Sequence, residues 1–97
     1  MNVFLVLLRF TDKRTEAGPH RAEHDAWIES GVRAGVFLLV GSLLPARGGA
    51  VLAHGLTRAE LEARVARDPF VAHGVVEAEV AEISPMRVAP ALAFLRE

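Results

Sequence analysis

Cysteine is missing from this 97-residue chain, which excludes disulfide staples, thiol nucleophiles and thiolate metal sites. A block of like charge is missing as well. The 11 basic and 12 acidic residues are intermixed and leave a net charge of −1, so there is no electrostatic footprint for nucleic acid or an anionic membrane surface. Lysine occurs only at Lys13, the other basic residues being arginine; no function follows from that bias. Long apolar runs are lacking too. The nearest, MNVFLVLLRF at the N-terminus, is too short to span a bilayer, has no basic residue ahead of it and no small-residue cleavage site after it. It reads as a buried first strand, and the expectation is a cytoplasmic protein. Repeats, linkers and low-complexity segments are absent, so residues 1–97 read as one domain, too short to build a second core.

What the chain does have is hydrophobicity, 52% of its residues, a high share for so little volume and a hint of surface buried against another subunit. Val3 to Phe10 is apolar almost without a break and predicts a strand buried on both faces. Thr11 to Gly18 is a polar loop. Pro19 suits the first turn of a helix, where its missing N–H costs nothing, and that helix should run to about Ala34 with Gly35 as a left-handed stop. Val36 to Leu44 predicts a second doubly buried strand, Pro45 to Gly49 a turn, and Ala50 to His54 a returning strand. Thr57 and Glu60 form a capping box at the start of a second helix, with Leu56 and Leu61 as its hydrophobic staple and Leu61 and Val65 as its inward face. Asp68-Pro69 ends that helix, because proline disfavours helical geometry in the residue before it. Val75 to Ile83 is the fourth strand, Val76, Ala78 and Val80 facing one way and Glu77 and Glu79 the other. Beyond it Pro85 and Pro90 break up the tail, whose last residues suit a short helical turn.

The order β-α-β-β-α-β is that of a ferredoxin-like split βαβ domain of the α+β class: a four-stranded antiparallel sheet with two helices on one face. Strands that are apolar on both sides leave the other face in need of a cover. The expectation is a homodimer through that open face, a dimeric α/β barrel.

The stretch from His20 to Leu44 organises the reading. At ~100° per helical residue, His20, His24, Trp27, Gly31 and Ala34 share one stripe. Arg21, Asp25, Glu29 and Arg33 lie on the solvated side. His24 therefore points the way Trp27 points, inward, and a buried imidazole needs a polar partner. It is either a core histidine bonded to a carbonyl or a general acid/base tuned by its surroundings. Asp68 is by default a turn residue ahead of Pro69. Yet this topology lays both helices on one sheet face, which brings a carboxylate at the end of the second within reach of the first. A carboxylate on one ring nitrogen would fix the tautomer and raise the basicity of the other.

Arg21-Ala22-Glu23-His24, then Gly35, Gly41-Ser42-Leu43, and Asp68-Pro69-Phe70 with Gly74 behind it together resemble the YciI-like (YCII-related) family across nearly the whole chain. The resemblance implies a ferredoxin-like α+β dimer with a His–Asp pair in a pocket, here His24 and Asp68. It also implies lyase or dehydrochlorinase-type chemistry on small cyclic substrates, in a family whose members are mostly of unknown role. Phe70 enters the candidate site through this motif. Ser42 replaces a proline often found there and adds a hydroxyl at the pocket edge.

The remaining candidates carry simpler readings beside the functional ones. Trp27 is either plain core or an aromatic wall for a small ring. Gly41 and Ser42 edge the pocket, but no strained elbow or Gly-x-Ser-x-Gly pattern makes Ser42 a nucleophile. Arg21 either flanks the rim or faces solvent, and Arg47 is by default a solvated turn arginine. Gly48-Gly49 is hairpin chemistry, since no helix start follows it as in a phosphate loop. His20 and His24, four residues apart, make two possible metal ligands without the glutamate of a helical zinc motif or a third ligand; no metal and no cofactor is called for.

These residues support a small cofactor-independent enzyme. His24 would move a proton, Asp68 would orient it, and backbone N–H groups near Ser42 would polarise a carbonyl, on a small cyclic carbonyl or phenolic compound. The alternative is a non-catalytic small-ligand-binding or interaction module on the same fold. Whether the chain is an enzyme at all stays open at this level.

Overall fold

The computed structural model describes residues 2–96. Four strands, β1 (Val3–Phe10), β2 (Phe37–Leu43), β3 (Gly48–Ala53) and β4 (Val76–Ile83), form one antiparallel sheet in the order β2-β3-β1-β4. Helix α1 (Arg21–Arg33) connects β1 to β2, and α2 (Arg58–Ala66) with a short α3 (Pro69–Ala72) connects β3 to β4. This is the ferredoxin-like α+β arrangement. Among the described residues, no helix is long and apolar enough to cross a membrane.

Alternation along the strands sets the layers. Phe4 and Val6 of β1 pair with Ala53 and Val51 of β3 and Leu8 with Gly49, and the five side chains Phe4, Val6, Leu8, Val51 and Ala53 are buried beneath the helices. Trp27 of α1, Leu61 and Val65 of α2, and Phe70 of α3 close that core from above. The opposite sheet face carries Leu5, Leu7, Leu39 and Leu52, and Leu39 is 64% exposed. On the face away from the helices β1 is half-buried at Leu5 and Leu7 and β2 is exposed at Leu39, where the apolar runs suggested strands buried on both faces, because both helices pack on the other side.

Each helix terminus has a local reason. α2 begins with the reciprocal capping box: the Thr57 side chain accepts from the Glu60 N–H at 3.1 Å, and Glu60 accepts from the Thr57 N–H at 2.8 Å. That second bond holds the exposed Glu60 carboxyl below its ordinary range. Leu56 and Leu61 are buried as the staple requires. α1 starts two residues later than Pro19, which sits instead in a 3-10 turn, Gly18–His20, with a second such turn at Arg14–Glu16. Gly35 takes φ +77° and stops α1 in the left-handed region. Gly31 lets α1 lie directly on β2: a Cβ there would stand 2.1 Å from the Phe37 ring.

The hairpin differs from the sequence expectation. Gly48 and Gly49 belong to β3, and the turn runs through Leu44–Arg47, closed by the Arg47 N–H on the Leu43 carbonyl at 2.9 Å. Gly48 is needed because it combines φ +131° with an approach to the Leu8 carbonyl that no Cβ could enter. The chain also does more after α2 than stop. Asp68 caps a further helical turn, α3, with Pro69 in its first turn. The tail forms a 3-10 segment over Pro90–Arg96 that buries Leu95.

Leu61→Asp is expected to cost about 3 kcal/mol or more by placing a charge in the centre of the core, against about 1 kcal/mol for Thr57→Ala through loss of the cap. Urea unfolding of both variants gives the comparison, and equal losses would contradict the inward placement of Leu61.

Candidate functional site

The site begins with Asp68, whose side chain is fully buried although it sits at a turn between two helices. As N-cap of α3 it directs Oδ1 to the Phe70 N–H at 3.1 Å. The same oxygen stands 2.7 Å from Nδ1 of His24, 44 residues earlier in the chain. Oδ1 accepts from both donors. The other oxygen, Oδ2, is buried and accepts no hydrogen bond from any described residue.

His24 comes off the inward stripe of α1 with 12% of its side chain exposed. Phe70 holds it from one side, the two rings stacked 3.9 Å apart at 8°. With Nδ1–H donated to Asp68, the ring nitrogen left free is Nε2. The Asp-Pro-Phe triplet therefore acts as a unit: Asp68 caps the turn and holds the imidazole, Pro69 sets the helical start, and Phe70 contributes an N–H to the carboxylate and a ring face to His24.

A cavity of about 560 Å³ opens beside this ring, between α1, the segment after β1 and the β2–β3 end of the sheet. His24, Phe70, Arg21, Gly41 and Ser42, all singled out in the sequence, line it together. Its remaining wall is largely apolar, with Leu8, Phe10, Ile28, Val40 and Val51 among the lining residues. Asp68 lies behind His24, outside the lining. So does Trp27, whose indole N–H donates to the Arg64 carbonyl at 2.9 Å and whose ring packs edge-on against Phe37, tying α1 to α2 and β2. Trp27 is core in this structure, set 6.1 Å from the His24 ring centre.

Two charged lining residues escaped the sequence reading. Asp25 seemed to belong to the solvated side of α1 and lines the cavity instead. Arg14 lay in a stretch read as plain polar loop; the 3-10 turn at Arg14–Glu16 folds it back over Phe10, its guanidinium 4.5 Å from the ring centre. No periodicity marks a loop residue, so no sequence signal pointed to Arg14. The α3 turn did have one, since Asp-Pro is as good a helix start as a helix stop. His20 does not share a site with His24. It stacks on His73 at 3.9 Å, and no group of three His, Cys, Asp or Glu residues poised for a metal ion occurs among the described residues.

The match to known families follows this geometry: the model of the YCII-related domain matches residues 3–87. The chain belongs to the YCII-related domain family. Among solved structures it is similar to 5-chloro-2-hydroxyhydroquinone dehydrochlorinase (TftG) from Burkholderia phenoliruptrix AC1100, in complex with 2,5-dihydroxybenzoquinone. The TM-score is 0.70 over 81% of this chain and 90% of that one, at 18% identity. That likeness concerns the fold. No curated protein matches the chain by sequence. Within the YCII-related fold of this chain, the helix-covered side of the sheet holds both the His24–Asp68 contact and the cavity.

If Asp68 fixes the ring as described, wild-type protein labelled with 15N should show the His24 imidazole as the Nδ1–H tautomer while neutral. Asp68→Leu should release that preference, leaving His54 and His73 unaffected. A His24 tautomer that is the same in both proteins would remove the contact from solution.

Proposed function

We propose that this YCII-related protein is a small cofactor-independent enzyme that moves a proton on a small cyclic carbonyl or phenolic compound, with His24 as general acid/base and Asp68 as the residue that orients it. The observation that carries the reading is the 2.7 Å contact of His24 Nδ1 with a fully buried carboxylate, on a ring that lines a cavity. A buried carboxylate is expensive, and this one is spent on holding an imidazole whose other nitrogen is free to exchange a proton. Phe70 restricts the ring further, so little reorganisation is left for the reacting complex.

Gly41 and Ser42 stand across the cavity on β2, an edge strand of the sheet. Alternate N–H groups of an edge strand have no partner within the sheet, and such donors stabilise an oxyanion that develops on a ring carbonyl. The apolar wall suits the body of a ring. The fold is shared with a dehydrochlorinase whose structure holds 2,5-dihydroxybenzoquinone, a cyclic carbonyl compound of this kind, which supports the choice of substrate class.

The test uses 2,5-dihydroxybenzoquinone in deuterated water, where exchange of its ring protons reports proton transfer at carbon. Wild-type protein should accelerate the exchange. His24→Ala should lose roughly 10²-fold or more of the acceleration while the compound still shifts the amide signals of Gly41 and Ser42. Binding without any acceleration by wild type would make the protein a ligand-binding module and sink the enzymatic reading.

The same reading includes a homodimer through the open sheet face. Leu5, Leu7, Leu39 and Leu52 form an apolar surface there, half-buried at the first two and at Leu52 and 64% exposed at Leu39, and a second copy supplies an identical surface to pack against it. Sedimentation should give a dimer at micromolar concentration, and Leu39→Glu should shift it toward monomer. A wild-type monomer would refute the assembly.

A further inference from the structure

Five arginine–carboxylate or histidine–carboxylate contacts are formed among the described residues, and they use Arg9, Arg33 and Arg58 on the surface and His24 in the core. Arg14 and Arg21, which line the cavity, take part in none of them. Each instead lies against an aromatic ring of the same wall. The Arg14 guanidinium is 4.5 Å from the centre of Phe10 and that of Arg21 is 6.0 Å from the centre of Phe70. The two phenylalanines are themselves 6.5 Å apart, and Phe70 is the ring stacked on His24. Two cations are thereby brought to one corner, beside the imidazole, without carboxylates of their own.

A guanidinium over an aromatic face keeps its N–H fork free while its position is restricted. That fork matches a planar carboxylate or ring oxide. Asp25 is the one acidic residue in the lining and forms no ion pair with either arginine, so the lining carries a net positive charge beside the apolar side chains of Phe10, Ile28 and Val40. A neutral ring would leave both guanidiniums without a counter-charge; an anionic ring would satisfy them and lie against Phe10 and Phe70.

We propose that the cavity selects planar anionic ring compounds, an aromatic carboxylate or a ring oxide, and that Arg14 and Arg21 are the specificity-determining residues. This rests on the cavity being the substrate site, and it names the charge that the substrate brings. Arg14 reaches the site from the loop after β1 and Arg21 from the first turn of α1, so the selectivity depends on the 3-10 turns that fold this loop over the sheet.

The experiment compares two probes that differ mainly in charge, 3-hydroxybenzoate and 3-hydroxybenzyl alcohol. Both are titrated against 15N-labelled protein at pH 8, where an ordinary imidazole is neutral, and at low salt. In wild type the benzoate should bind roughly fivefold or more tightly than the alcohol, the upper range for a partly exposed ion pair. Arg14→Gln and Arg21→Gln should each reduce that ratio, and the double variant should bring it near one, with an unchanged amide spectrum elsewhere. Arg14→Lys, which keeps the charge and loses the fork, should restore part of it. A wild-type ratio near one, failure of both probes to bind, or a ratio that survives the double substitution would overturn the proposal. Because the readout is binding alone, absence of proton transfer in the deuterium experiment leaves this result unaffected, and the two failures are told apart.

Discussion

A carboxylate with no exposure to water costs several kcal/mol to bury unless donors meet it. Asp68 is such a group, and the helix-covered half of the molecule is arranged around meeting it. One donor is local, the Phe70 N–H of the turn that Asp68 itself caps; the other is His24, delivered by α1 from across the layer. The contact therefore fixes the placement of α1 against α3 and, through the Phe70 stack, the orientation of the imidazole. One oxygen meets both donors while Oδ2 accepts no hydrogen bond from a described residue, an arrangement whose cost makes sense if the ring it holds has work to do.

The approach of α1 to the sheet depends on one glycine and one indole, and that of β3 to β1 on a second glycine. Gly31 lets the helix backbone settle onto Phe37, and Trp27 fills the neighbouring space while its N–H reaches α2. Gly48 lets β3 run close to β1 where a side chain would collide with the Leu8 carbonyl. The helix lies closest to the sheet at Gly31, and the cavity lies beside its earlier turns, where Arg21, His24, Asp25 and Ile28 line it. There the loop carrying Arg14 closes over Phe10. Close packing and the opening beside it are parts of one geometry.

Much of the fold was legible in local patterns. Alternating and continuous apolar runs located all four strands. The capping box at Thr57 and the left-handed stop at Gly35 marked helix ends, because these devices are satisfied by neighbours in sequence. Where a local pattern allowed two outcomes, the reading took only one of them. Asp68-Pro69 suits the end of one helix and the start of another, and the structure uses it for both. Gly48-Gly49 suits a turn or a strand held against a neighbouring backbone, and the approach to Leu8 decides for the strand. The apolar runs of β1 and β2 could not show that the helices cover one face and leave the other exposed at Leu39.

By itself the sequence determined the element order, the inward direction of His24 and the devices that start and stop the helices, since each depends on residues within one or two turns of each other. Topology and resemblance pointed to Asp68 as the partner of His24. Only the tertiary structure decided which of its oxygens meets the ring, that Phe70 stacks on it, that Trp27 stands behind the cavity, and that Arg14 and Asp25 line it. Those contacts join residues far apart in the chain. Their distances follow from how closely the helices sit on the sheet and how the loop after β1 folds back, quantities that side-chain bulk and backbone approach set together and that no periodicity along the sequence records.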